Sequence, residues 1–283
     1  MGPRPRGPVA NQGFRLSGFL PGKQGCRCVE GTAEGGRKYL SRVPIGCSSL
    51  DAILGGGIES SAITQLFGEG GSGKTNICLQ VTRNVVRAGQ KVIYIDTEGV
   101  SMERFQQICG TEEEYNGISR EVLFFQPMSS SQLSDSIRST MKLVEKDLHI
   151  GLIVLDSATV FYRMNLGSGR EEENRREIST VILDLMNISR KQDIPVLITT
   201  QVYSSMGPSD IRPIGGHSLA HNCKAIVKLE KLGDGGFRRA TVTKHRSMPS
   251  GEEAVFKLTG KGVESVEEEE LALLMSAEHI RVR

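Results

Sequence analysis

Short apolar runs alternate with helix-spaced apolar positions along most of this chain. Residues 62–67, 91–96, 122–126, 152–156 and 194–200 are compact runs rich in Val, Ile, Leu, Phe and Tyr. Each is too short for a core helix and reads as a buried strand. Between them the apolar spacing changes to the helical period. It does so over 75–88, which stops at Gly89, and over 101–109. It recurs over 130–146, with Leu133, Ile137, Met141 and Val144 on one face, and over 172–191, with Ile178, Val181, Ile182, Leu185 and Ile188. Ser48 and Asp51 predict a capped short helix over 49–54, ended by Gly55-Gly56-Gly57. Strands separated by crossover helices predict an α/β fold, with a mostly parallel central sheet covered by helices on both faces. After residue 222 the pattern changes. Residues 225–230 and 237–245 flank Gly233-Asp234-Gly235-Gly236 and predict a β-hairpin, and 254–258 adds a strand. The sheet is therefore expected to end in a C-terminal antiparallel extension. Glu267-Glu268-Glu269-Glu270 reads as a solvated helix start.

Residues 1–38 break this pattern. They hold nine glycines and four prolines among few apolar residues. Such a segment buries too little surface to offset its ordering entropy, so a disordered basic tail is expected there, with the folded core spanning 39–283. Seven cations against two carboxylates give residues 1–40 a net charge of +5, leaving the rest at −3 within a chain total of +2. Bulk charge therefore makes no case for nucleic acid. A 38% hydrophobic and 24% charged composition is that of an ordinary soluble protein. There is no membrane-length apolar run and no leader-type apolar stretch. The six cysteines are scattered, and Cys26-Arg27-Cys28 lacks the second pair of a metal site. A cytoplasmic protein with reduced thiols and no membrane contact is expected.

Gly68-Glu69-Gly70-Gly71-Ser72-Gly73-Lys74-Thr75 matches the phosphate-loop pattern at every fixed position, between a predicted strand and a predicted helix. Glycines let successive amides turn toward phosphate oxygens, and the following helix adds its positive end. These residues, with Asn76, form the candidate cradle for ATP. Lys74 is placed to reach the β- and γ-phosphates, and Thr75 to hold Mg²⁺. Leu152-Ile153-Val154-Leu155-Asp156 ends a buried strand in a carboxylate at the edge where ligands gather in open α/β sheets, making Asp156 the second candidate Mg²⁺ ligand. Glu98, just beyond the strand ending at Asp96, is the candidate general base. A helix-capping loop carboxylate is the competing account. Gln201 follows strand 194–200 and is placed to contact a γ-phosphate, unless it is an ordinary strand-end amide.

Several motifs follow one another: the phosphate loop, Asp96-Thr97-Glu98-Gly99, Leu155-Asp156-Ser157, Phe161-Tyr162-Arg163, Thr200-Gln201-Val202, Pro213-Ile214-Gly215-Gly216 and Ala220-His221. In this order they resemble RecA/RadA-type recombinases, over roughly residues 40–260. Within that superfamily the chain is most similar to the archaeal RadB paralogues, which consist of the ATPase core without the N-terminal helical DNA-binding domain. The resemblance implies a RecA-like phosphate-loop NTPase core. It also implies two DNA-facing loops, near 164–172 and 204–217, in which Arg163, Arg170 and Arg212 are candidate contacts to DNA, single-stranded above all. Glu171-Glu172-Glu173 beside Arg170 weighs against that face. Arg104 matches the position of an arginine stacked beside the adenine, although an exposed helix arginine fits equally well. Lys244 and Arg246 match basic residues that related assemblies offer to a neighbouring subunit's γ-phosphate, which implies a possible homo-oligomer with catalysis completed in trans. No Phe-x-x-Ala segment precedes the core, which departs from filament-forming recombinases.

The function implied is that of an accessory or regulatory recombinase paralogue in DNA repair and homologous recombination. It would bind ATP, Mg²⁺ and DNA, hydrolyse ATP weakly, and work with a main recombinase or a junction-processing nuclease. Two alternatives remain at this stage. One is a full DNA-dependent ATPase catalysing strand exchange. The other is a ring-forming KaiC-like signalling ATPase with no DNA role, against which Gly215-Gly216 and Ala220-His221 argue.

Overall fold

The computed structural model describes residues 30–32, 38–40, 42–146, 148–164, 169, 171–204, 211–213, 216–233 and 235–281. It opens with β1 (Glu30–Thr32) paired antiparallel to β2 (Lys38–Leu40). The remainder of the stretch expected to be a tail, with Cys26 and Cys28, lies outside the described residues. Next come β3 (Arg42–Val43), α1 (Ser48–Ile53) and β4 (Ile58–Glu59), with β3 and β4 forming a small separate sheet.

The central unit follows as β5 (Ile63–Gly68), α2 (Lys74–Arg87), β6 (Lys91–Asp96), α3 (Met102–Cys109), α4 (Glu112–Ser119), β7 (Val122–Phe125), α5 (Ser130–Glu145), β8 (Ile150–Asp156), α6 (Val160–Met164), α7 (Glu171–Gln192) and β9 (Val196–Thr200). A short antiparallel pair, β10 (Val202–Ser204) and β11 (Ile211–Pro213), precedes α8 (Gly216–Asn222). The chain then adds β12 (Ala225–Lys231), β13 (Phe237–His245), β14 (Glu253–Thr259), β15 (Gly262–Ser265) and α9 (Glu268–Arg281).

The large sheet has nine strands in the order β15-β14-β13-β12-β5-β9-β8-β6-β7. From β12 to β7 every neighbour is parallel, and from β12 to β15 every neighbour is antiparallel. The fold class is thus the α/β architecture that the alternation predicts. β8 is buried at all seven positions and β9 at all five, because helices cover both faces. One core layer packs α2 and α3 against the sheet through Ile77, Leu79, Val81, Tyr94 and Phe105. The other packs α5 and α7 through Leu133, Ile137, Ile182 and Leu185.

One local expectation is corrected. The cap of α1 is Cys47, with no side-chain cap bond, and Ser48 is the first helical residue, its hydroxyl bonded to that of Ser265. Asp51 reaches back instead, accepting from the Ile45 and Gly46 amides at 2.7 and 3.0 Å. Asp51 thus ties down the chain leading into the helix, while the helix's own Ser49 amide is taken by the Ser265 hydroxyl at 3.0 Å, since buried amides need an acceptor wherever it comes from.

Candidate active site

The carboxyl ends of β5, β6, β8 and β9 converge on a cavity of about 440 Å³. The phosphate loop forms one wall. Glu98, Arg163, Gln201 and Val202 form the other. Gly73 caps α2 with φ +103°, in the left-handed region that favours glycine, and no side chain occupies the cap. The first turn of α2 also lacks an acidic residue. Its leading amides and positive dipole end are thus left for an anion.

Lys74 is almost fully buried, and its ammonium donates to the carbonyls of Gly68 and Glu69 at 2.8 and 2.9 Å. Burial lowers its pKa, while Glu98 and Asp156 pull it back up. The Ser72 hydroxyl and the Gln201 carbonyl oxygen are buried with no hydrogen-bond partner among the described residues. Both belong to the segments that enclose the cavity, and a polar ligand would satisfy them.

Asp156 ends β8 and is 1% exposed. Its carboxylate accepts from the Thr199 hydroxyl at 2.5 Å and the Tyr94 phenol at 3.0 Å, with the Thr75 hydroxyl near enough to help lower its pKa. Burial raises its pKa, the three hydroxyls oppose that rise, and Glu98 adds to it. Thr75, at the head of α2, and Asp156, at the end of β8, thus lie on the same side of the sheet edge. Two adjoining oxygen donors suit a hard cation such as Mg²⁺, which keeps most of its shell as water and phosphate. No cluster of three His, Cys, Asp or Glu side chains able to hold a metal occurs among the described residues.

Glu98 rides on a turn that Asp96 builds. The Asp96 carboxylate accepts from the amides of Glu98, Gly99 and Val100 at 3.1, 2.8 and 2.8 Å. The Thr97 hydroxyl donates to the Ser157 carbonyl and accepts from the Ser157 amide, both at 2.8 Å. The tips of β6 and β8 are therefore stitched together. Within the wall opposite the loop, the Gln201 side-chain amide donates to Glu98 Oε1 at 2.8 Å. Arg163, at the end of α6, lines the cavity with them, so this candidate DNA contact also stands beside the phosphate loop.

A family model described as Rad51 matches residues 36–266. The chain belongs to the Rad51 family. A DNA repair and recombination protein RadB of Methanococcoides burtonii is 46% identical over 77% of this chain and 95% of its own length. The protein of the same description from Thermoplasma acidophilum is 41% identical over 79% of this chain and 94% of its own length. Among solved structures, one titled crystal structure of the RadB recombinase aligns with a TM-score of 0.67 and 34% identity, covering 80% of this chain and all of that one.

The remaining candidates fall into three groups. Arg104 lies beside the phosphate helix, where its guanidinium donates to Asn76 Oδ1 at 2.6 Å and to the carbonyls of Thr259 and Gly260 at 2.6 and 3.2 Å. It is a tie between α2, α3 and the β14–β15 turn, more tightly held than an exposed helix arginine. Lys244 and Arg246 are engaged within their own chain. Lys244 donates to Ala220 O at 2.8 Å, at the end of α8, and Arg246 forms a two-pronged ion pair with Glu59. Arg170 lies outside the described residues. Arg212 is described only through its backbone, which sits opposite Tyr203 in the β10–β11 pair.

Sequence reasoning missed Asp96, Tyr94 and Thr199 as supports. Asp96 had a legible signal, an Asp three residues before a Gly, the pattern of a side chain bonding its own turn. Tyr94 had a weaker one, a phenol in the middle of a buried strand that needed a partner. Nothing in the sequence pairs Thr199 with Asp156, because that contact depends on β8 and β9 lying side by side.

Proposed function

We propose that this chain is an ATP- and DNA-binding recombinase paralogue acting in DNA repair and homologous recombination, accessory or regulatory in role, with a weak Mg²⁺-dependent ATPase. The observation that carries the reading is a glycine-bounded loop ahead of α2 lining one cavity with Glu98 and Gln201, which are bonded to each other opposite it.

Gly68 to Asn76 bind the polyphosphate through backbone amides and the α2 dipole. Lys74 exchanges its two carbonyl partners for phosphate oxygens, to which its charge is better matched. Thr75 and Asp156 would hold Mg²⁺, which when bound neutralises phosphate charge. Glu98 is the general base that accepts a proton from the attacking water, and Gln201 orients Glu98 and reads the γ-phosphate end. Arg104 holds the base side of the pocket through Asn76. Water attacks the γ-phosphorus, the bond to the bridging oxygen breaks, and ADP and phosphate leave.

Gln201 leads directly into β10, so a change in its partner is carried to the segment 204–217, which we assign to DNA with Arg212. Arg163 leads likewise into 164–172 with Arg170. ATP thereby acts mainly as a conformational switch on DNA contact. The protein works in the cytoplasm with a main recombinase or a junction-processing nuclease. No helix among the described residues is long and apolar enough to cross a membrane.

The test is ATP turnover with and without single-stranded DNA, beside a DNA titration at two salt concentrations. Slow turnover, little stimulation and salt-sensitive DNA binding are expected. Strong stimulation would move the assignment to strand exchange, and no DNA binding at low salt would remove the DNA role. Mixing Lys74→Ala with a Lys244→Ala/Arg246→Ala variant tests sharing between subunits. Restored turnover supports contacts in trans, and none argues for the cis engagement of those side chains.

A further inference from the structure

The antiparallel extension does more than widen the sheet, because it forms the floor under the phosphate loop. A side chain at position 68 would meet the Leu229 carbonyl of β12 at 2.2 Å. One at position 73 would meet Leu258 and Phe256 of β14 at 3.2 and 3.4 Å. The tip of the loop is held by charge. Arg238 of β13 donates through Nε to the Gly71 carbonyl at 2.9 Å, its guanidinium fixed by a second bond to the Phe237 carbonyl at 2.7 Å. Lys231, at the end of β12, stands over the same residue, since a side chain at position 71 would lie 3.2 Å from its Cε and 3.4 Å from its Nζ. Gly71 has φ +76°, so its peptide sits where few residues rest unaided.

We propose that Arg238, assisted by Lys231, is a positioning residue for the nucleotide's polyphosphate: it clamps the Gly71 carbonyl from outside the loop and sets positive charge behind the bound phosphates. This rests on the nucleotide-binding reading above and assigns the antiparallel extension a share of that site. The physical logic has two parts. In a phosphate loop the amides point toward the anion, so a carbonyl at the tip points away and needs a donor on the outer side. Arg238 is that donor, and it fixes the peptide plane at Gly71 before any phosphate arrives. The loop also carries its own carboxylate, Glu69, which repels a polyphosphate. Two cations on the outer face offset that repulsion at short range, where screening is weak. Arg238 reaches the nucleotide only through Gly71, so its loss should weaken binding and leave the chemical step alone.

The full-length protein is titrated calorimetrically with ATP and with ADP in the presence of Mg²⁺, and kcat and KM for ATP are measured alongside. Arg238→Ala should weaken both nucleotides about tenfold, the usual loss for a charge-assisted hydrogen bond. KM should rise by a similar factor with kcat unchanged, a split that a merely structural defect would not produce. Arg238→Lys, which keeps the charge and loses the fork, should recover part of the affinity. Lys231→Ala, at an exposed position that the fold does not need, should weaken ATP about threefold, and more at low salt than at high. If the nucleotides bind Arg238→Ala and Lys231→Ala as they bind the unaltered chain, the proposal is overturned and the nucleotide reading stands. If the unaltered chain itself takes up neither ATP nor ADP, both fall together.

Discussion

The parallel half of the sheet and its antiparallel extension are built from different sequence grammars. In the parallel half, β8 and β9 are buried at every position, and their polar residues gather toward or just beyond the strand ends, as Asp156, Thr199 and Gln201 do, with Asp96 likewise at the end of β6. In the extension β13 alternates toward its end, with Ala240 and Val242 buried and basic residues spread along the rest, from Arg238 and Arg239 to Lys244. Chemistry in the first half sits at strand ends and announces itself as motifs. Contributions from the second arise where the sheet register brings a side chain of an otherwise ordinary strand against the loop. The comparison teaches that a functional site can draw on a region that carries no motif of its own.

The contrast can be broken at four places. Glu98→Gln, in the parallel half, should cut ATP turnover by about 10²–10⁴-fold while nucleotide affinity is largely kept. Steady-state hydrolysis beside calorimetric binding checks it. At the seam, Gly68→Ala puts a methyl group against the Leu229 carbonyl, a backbone atom that cannot yield without moving β12. A loss of about 2–3 kcal/mol is expected in denaturant unfolding. Gly70→Ala, with nothing within 4 Å, should leave stability nearly untouched, so equal losses would deny the seam its role. In the extension, Arg246→Ala removes the ion pair to Glu59, half exposed on the arginine side. About 0.5–1 kcal/mol should be lost, and less in high salt.

The smallest effect is one of pH. His245 Nδ1 accepts from the amides of Ser247 and Met248 at 3.1 and 3.0 Å, which requires the unprotonated nitrogen. Burial, Arg42 and Arg246 lower its pKa, against a smaller upward pull from Glu59. A lowered folded pKa means that the unfolded chain takes the proton first. Stability is therefore unaffected above about pH 6.5 and declines as pH falls below it. Comparing His245→Gln with the unaltered chain across that range should flatten the slope, and an identical slope would remove His245 as its source.

Most of the fold was legible because periodicity reports burial. The five strands from β5 to β9 and their main crossover helices fall within a few residues of the pattern, as α5 over Ser130–Glu145 and α7 over Glu171–Gln192 show. The elements missed were those whose burial is partial or whose sequence is polar. Helix α4 reads Glu-Glu-Glu-Tyr-Asn-Gly-Ile-Ser and buries only Ile118. The β10–β11 pair has three residues in each strand. The nearness of the phosphate loop, Glu98 and Asp156 to one sheet edge was legible because their spacing along the chain is local or strand-terminal. The Arg238–Gly71 contact spans 167 positions and exists only because β12 lies beside β5. Lys244 and Arg246 illustrate the same limit from the other side. Their charges were visible in sequence, whereas the α8 carbonyls and the Glu59 carboxylate that engage them were not.

The paired Thr97–Ser157 hydrogen bonds have a consequence for what can vary. It makes one rigid bracket of the Asp96 turn and the end of β8, so the distance between Glu98's backbone and Asp156 is set by geometry internal to two strands. Gln201 lies outside that bracket, held beside it by its side-chain bond to Glu98 and by its backbone amide, which donates to the Thr159 hydroxyl. Sequence drift in the segment beyond Gln201 can therefore accumulate without disturbing the geometry of that bracket.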